Sequence, residues 1–130
     1  MTAPAEVPVS TILLVEDDDA IRESVSECLA LEGYNVALAV NGAEALDWLE
    51  RADRPAVVLL DMIMPVMTGA ELLVRMRRNP VLASVPVVLM TAAMQKEPAA
   101  MSAQALLPKP FDLAELLQTV ARFCGPGVPS

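Results

Sequence analysis

The 130-residue chain has no histidine, two cysteines, and only one Trp, one Tyr and two Phe. Without histidine it has no Ser-His-Asp or Cys-His nucleophile pair and no imidazole ligand for zinc. Cys28 and Cys124 stand far apart without metal-type spacing. They read as thiols buried in helices, which suits a reducing compartment. With aromatics at 3%, the core is left to Val, Leu, Ile, Ala and Met. No apolar run approaches the ~18 residues that a membrane span needs. The start, Met1-Thr2-Ala3-Pro4-Ala5-Glu6, carries neither the basic nor the apolar region of a signal peptide. A cytoplasmic location is therefore the expectation, with no membrane partner. Positive charge is scarce as well: 9 Lys and Arg face 17 Asp and Glu, a formal charge of −8. That surplus repels phosphate backbones and argues against nucleic acid as a partner of this chain.

What is present is apolar and ordered. Hydrophobic residues make up 55% and charged ones 20%, the balance of one globular domain with a sizeable core. Residues 1–9 and 125–130 read as loose tails around a domain over 10–124. The run Val57-Val58-Leu59-Leu60 predicts a strand buried on both faces, and it ends abruptly in Asp61. Thr11–Val15 predicts a second such strand, ending in Glu16-Asp17-Asp18-Asp19. Val36, Leu38 and Val40 alternate like an edge strand. Val85–Met90 predicts a further buried strand, with Pro86 tolerated near its start, and Ala105–Leu107 a brief fifth one.

Helices fill the gaps. Ile21, Val25, Cys28 and Leu29 keep helical spacing behind Asp18 or Asp19 as N-cap, and Gly33 stops them. Asn41 predicts an N-cap with Glu44 three residues on; Thr68-x-x-Glu71 and Asp112-x-x-Glu115 predict capping boxes, the last with Phe111 stapled onto Leu116. Arg75, Arg77 and Arg78 crowd one helix end, where cations suit the dipole. Residues 94–102 hold the poorest helix, short and containing Pro98. Met62, Met64 and Met67 read as packing residues and Trp48 as partly covered. Five strands alternating with five helices, the fourth short or irregular, predict an α/β fold: a doubly wound parallel sheet covered on both faces.

If the strands run parallel, their carboxyl ends deliver Glu16 and Asp17, Asp61, Thr91 and Lys109 into one crevice. Two carboxylates ~5 Å apart repel by roughly 3 kcal/mol at an effective dielectric of 20. Three of them need more compensation than one Lys provides. A divalent cation with oxygen ligands supplies it, Mg2+ (or Mn2+) being the natural fit. Such a site suits a phosphoryl group, with a carboxylate as nucleophile. Taken singly, each residue keeps an ordinary reading: Glu16 and Asp17 at a helix start, Asp61 in an Asx-turn, Thr91 as a cap, Lys109 in solvent. Their joint occurrence at successive strand ends favours the site.

The stretches Ile12–Asp18, Leu60–Pro65 through Gly69, Met90-Thr91-Ala92 and Pro108-Lys109-Pro110-Phe111 resemble the receiver domain of two-component response regulators, the chemotaxis-regulator type. The resemblance covers roughly residues 10–124. It implies a flavodoxin-like sheet of order 2-1-3-4-5 and a cis Lys109–Pro110 peptide. It further implies that Asp61 accepts the phosphoryl group, Asp17 binds Mg2+ directly, and Glu16 acts on the metal through water. The backbone carbonyl of Ile63 would complete the ligands, and Thr91 and Lys109 would bind phosphoryl oxygens. The implied donor is a sensor histidine kinase or phosphotransfer protein, with an unknown downstream protein contacted by a monomer or weak dimer. A stand-alone receiver is the expectation at this length.

The chain departs from that pattern on the output face, assigned to Ala92, Ala93 and Leu106. Leu106 stands where the family commonly has a switch Tyr or Phe, and the 91–109 segment is short. Ile63 and Ala93 cannot orient an attacking water, so slow self-dephosphorylation is expected. Two other readings stay open: a receiver-like adaptor that does not use phosphorylation, and an Mg2+ phosphohydrolase with an Asp nucleophile. The latter is disfavoured, because such enzymes place a second acid two residues after the nucleophile, where this chain has Ile63.

Overall fold

Strand runs that are apolar at every position need cover on both sides, and the chain provides it. The structure, a computed structural model, describes residues 10–51, 54–62, 66–91 and 103–124. In chain order its elements are β1 (Thr11–Val15), α1 (Asp19–Leu31), β2 (Asn35–Ala39), α2 (Gly42–Arg51) and β3 (Val57–Asp61). There follow α3 (Gly69–Arg78), β4 (Val87–Thr91), β5 (Ala105–Pro108) and α4 (Leu113–Cys124). The five strands form one parallel sheet of order β2-β1-β3-β4-β5, as expected. The short helix expected over 94–102 and both tails lie outside the described residues, which contain four helices.

Alternation along the strands divides the core in two. Leu13, Val15, Val58, Leu60, Val87 and Leu89 point to one face, where Ala45 and Leu49 of α2 and Leu72, Leu73 and Met76 of α3 cover them. Ile12, Leu14, Val57, Leu59, Val88 and Met90 point to the other, under Val25 and Leu29 of α1 and Leu116 and Val120 of α4. The central strand β3 and its neighbour β4 are buried along their whole length. Among the described residues no helix is long and apolar enough to cross a membrane.

The caps are local and mostly follow the sequence. Asp18 Oδ1 accepts from Ile21 N at 3.0 Å and starts α1. The chain leaves that helix through Gly33 at φ 92°, a left-handed conformation in which glycine has no Cβ penalty. Thr68–Glu71 and Asp112–Glu115 close both bonds of their capping boxes. Asn41 caps α2 through Glu44 N at 2.8 Å, but Glu44 Oε1 accepts from Val40 N, one residue earlier than a capping box requires. Phe111 packs against the cluster that contains Leu116, and Met62, Met67 and Trp48 pack in the other; Met64 lies outside the described residues.

Three expectations need correction. Cys28 and Cys124 are only partly buried; Cys124, the last residue of α4, packs at the edge of the core under α1 and α4. Burial still pushes both thiols up, Cys124 to about 11, so neither is primed as a nucleophile. β4 starts at Val87, not Val85: Val85 N donates to Leu82 O and Val85 O accepts from Arg77 Nη1 at 3.0 Å, which draws that residue into the preceding turn. Arg77 is thus more than a dipole partner. It also donates to Ala83 O and to Gln104 Oε1, tying the end of α3 to the entry of β5.

Candidate phosphoryl and metal site

The crevice forms where the parallel strands end together. Register pairs Val15 with Leu60, Asp61 with Met90, and Thr91 with Pro108. The next residue along β1 is Glu16 and along β5 is Lys109, so Glu16, Asp61, Thr91 and Lys109 meet at one rim. Backbone bonds fasten that rim: Glu16 N to Ala39 O at 3.0 Å, Met62 N to Met90 O at 3.1 Å, and Lys109 N to Thr91 O at 2.7 Å. The Lys109–Pro110 peptide is cis, as the resemblance implied.

Glu16, Asp61 and Thr91 are buried polar residues, whereas Asp17 is exposed at the mouth. Carboxylate oxygens of Glu16, Asp17 and Asp61 all lie within 4.8 Å of one another. Lys109 Nζ is 3.2 Å from Glu16 Oε1 and 3.4 Å from Asp61 Oδ1. The other Glu16 oxygen, Oε2, accepts from Asp18 N at 3.2 Å. Burial, and after it the Asp61 charge, raise the Glu16 pKa above 4.5 against the opposing pull of the Asp18 amide and Lys109. For Lys109, burial pushes the ammonium down, but Asp61 and Glu16 together outweigh it and its pKa lies above 10.5. The ammonium is therefore charged at neutral pH. One cation among three carboxylates leaves a surplus of negative charge, and an all-oxygen donor set fits a hard divalent cation.

Two contacts at the site were not legible in the sequence. Gly69, at the start of α3, lies directly against the backbone of Asp61: a Cβ there would stand 2.3 Å from Asp61 O and 2.9 Å from Met62 Cα. Helical periodicity carries no sign of that approach. Arg22 on α1 donates from Nη1 to Glu16 O at 2.9 Å and pairs through Nη2 with Asp19. Nothing in the spacing of a surface arginine foretells a backbone partner. Leu106 is 44% exposed on the edge strand β5, three residues before Lys109. Ile63, Ala92 and Ala93 lie outside the described residues.

Comparison with known proteins decides the family. The response regulator receiver domain matches residues 12–121. The chain belongs to that family. The receiver is 43% identical over 110 residues to response regulator MprA of Mycolicibacterium vanbaalenii, covering 82% of this chain and 46% of that protein. It thus spans about half the length of the curated relatives it matches. Chemotaxis protein CheY4 of Vibrio cholerae superposes with a TM-score of 0.82 at 34% identity, over 89% of the receiver and 99% of that chain. The receiver domain of sensor histidine kinase PA1611 from Pseudomonas aeruginosa, solved with a magnesium ion coordinated in its active site cleft, gives 0.83 at 29% identity, over 91% and 99%.

Proposed function

We propose that this receiver is an Mg2+-dependent phosphoacceptor. Asp61 takes a phosphoryl group from the phosphohistidine of a sensor histidine kinase or phosphotransfer protein. The observation that carries this reading is the Lys109 ammonium shared by Glu16 and Asp61 inside a three-carboxylate cluster. Glu16, Asp17 and Asp61 would hold the metal, joined by the Ile63 carbonyl. The bound cation supplies charge neutralisation for the phosphoryl oxygens.

An Asp61 carboxylate oxygen attacks phosphorus, the O–P bond forms and the donor's P–N bond breaks. The electron pair of that bond stays on the departing imidazole nitrogen. Lys109, poised on Asp61, then serves a phosphoryl oxygen, and the Thr91 hydroxyl donates to another. A bond from Thr91 to so charged a group is worth ~1.5–3 kcal/mol, roughly a 10- to 100-fold shift between two conformations. Because Thr91 and Lys109 end adjacent strands, that shift reaches β5 and Leu106, the face that meets the downstream protein. Backbone and Leu106 packing move; no ring rotates.

The test is intact mass after incubation with a small acyl-phosphate donor and Mg2+. One phosphoryl group gained and retained, and none in Asp61→Asn, is the expected result. No adduct would favour an adaptor that does not use phosphorylation, and donor turnover without accumulation would favour a phosphohydrolase. Amide shifts of the phosphorylated protein are expected to change at Leu106; an unchanged β5 would end the switching part of the proposal.

A further inference from the structure

Glu16 and Asp17 are consecutive, and consecutive side chains of an extended strand point to opposite faces. Here their carboxylate oxygens converge to within 4.8 Å of one another and of Asp61. The peptide joining them must therefore leave strand geometry, and the chain does bend at Asp17, just beyond the end of β1. The carbonyl of that peptide is Glu16 O, and it accepts from Arg22 Nη1 at 2.9 Å. The amide side of Glu16 is fixed separately by Ala39 O at 3.0 Å.

Arg22 suits the task. Its side chain is 17% exposed, laid against the loop, while its partner Asp19 is 86% exposed. A planar guanidinium anchored by one nitrogen on Asp19 and by another on Glu16 O cannot swing, so it fixes the peptide plane it touches. Asp19 also balances its charge, which lets a cation stand close to a site that takes another cation.

Resting on the Mg2+ reading of this site, we infer that Arg22 is a positioning residue: it holds the Glu16–Asp17 peptide in the rotation that turns both carboxylates toward one ion. The sign of its effect separates this role from a purely electrostatic one. Removing a nearby positive charge alone would tighten binding of a dication. Loss of positioning loosens it, and residues that orient metal ligands typically contribute about 10- to 100-fold in affinity.

The experiment is calorimetric titration of the metal-free protein with Mg2+, for the parent, Arg22→Met, Arg22→Lys and Asp17→Asn. Arg22→Met is expected to bind about tenfold more weakly, with Arg22→Lys weakened less, because a single ammonium keeps the charge but not both anchors. At saturating Mg2+ the rate of phosphorylation by the small acyl-phosphate donor should return to near the parent's, and melting in chelator should stay cooperative. Binding by Arg22→Met as tight as the parent's, or tighter, overturns the inference. If that variant does not fold, unchanged affinity in Arg22→Lys overturns it instead. A parent that ignores Mg2+, or an Asp17→Asn protein that binds it undiminished, refutes the metal reading itself and this inference with it.

Discussion

Replacing Gly69 by alanine sets two effects of known sign against each other. At a helix position alanine is intrinsically better than glycine, by at most ~1 kcal/mol in a helix interior and by less at the first residue, where Gly69 stands. Against that, the new Cβ would lie 2.3 Å from Asp61 O, 2.9 Å from Met62 Cα and 3.1 Å from the Asp61 carbonyl carbon. Carbon to carbonyl-oxygen contacts settle near about 3.3–3.6 Å, so the strand exit and the start of α3 must separate by about 1 Å. All three of these atoms are backbone, and no rotamer change relieves the contact. Overpacking of this kind costs about 1–3 kcal/mol, which outweighs the propensity gain. A net loss of about 1–2 kcal/mol in urea denaturation is expected. The larger effect falls on chemistry, because the atoms displaced belong to Asp61: a 1 Å misplacement slows an oriented reaction by about 100-fold. The rate of phosphoryl gain from a small acyl-phosphate donor at saturating Mg2+ reads it. A Gly69→Ala protein of parental stability and parental rate would refute the reasoning.

Two further outcomes follow from the charge cluster. Mg2+ at a hundred times its Kd should add about 2.7 kcal/mol to the unfolding free energy, and urea curves of Asp17→Asn should show little of that gain. In chelator, stability should depend on pH through Glu16 and Lys109. The folded pKa of Glu16 is raised above 4.5, so the native state holds that proton more tightly than the unfolded chain does. Its contribution is present below pH 4.5 and is lost as pH rises through the raised value, a slope that Glu16→Gln should remove. Lys109, raised above 10.5, contributes stability that is present below that pH and is lost as pH climbs through its folded value. Urea midpoints of the metal-free protein from pH 4 to 11 check both; a flat profile at either end rules out the corresponding shift.

The amino-acid sequence by itself determined what propagates along the chain. Apolar runs at 12–15, 57–60 and 85–90 dictated strands buried on both faces, the third beginning two residues later than its run, and helical spacing between them dictated crossovers. Asp18 or Asp19, Thr68 and Asp112 marked helix starts because a cap is a bond over two or three residues, legible as spacing, and the structure chose Asp18. Even the convergence of Glu16, Asp17, Asp61 and Lys109 was legible, since a parallel sheet must bring strand ends to one side. Other features depended on through-space neighbours that no spacing encodes. Gly69 against Asp61 O, Arg22 on Glu16 O, and Arg77 on Val85 O all join groups from different elements, and each opposes a backbone atom that every residue type shares. Backbone partners leave no mark on side-chain identity, so only the packed sheet reveals them. The partial burial of Cys28 and Cys124 has the same origin: periodicity assigns a face, but the depth of cover depends on what the tertiary structure lays across it.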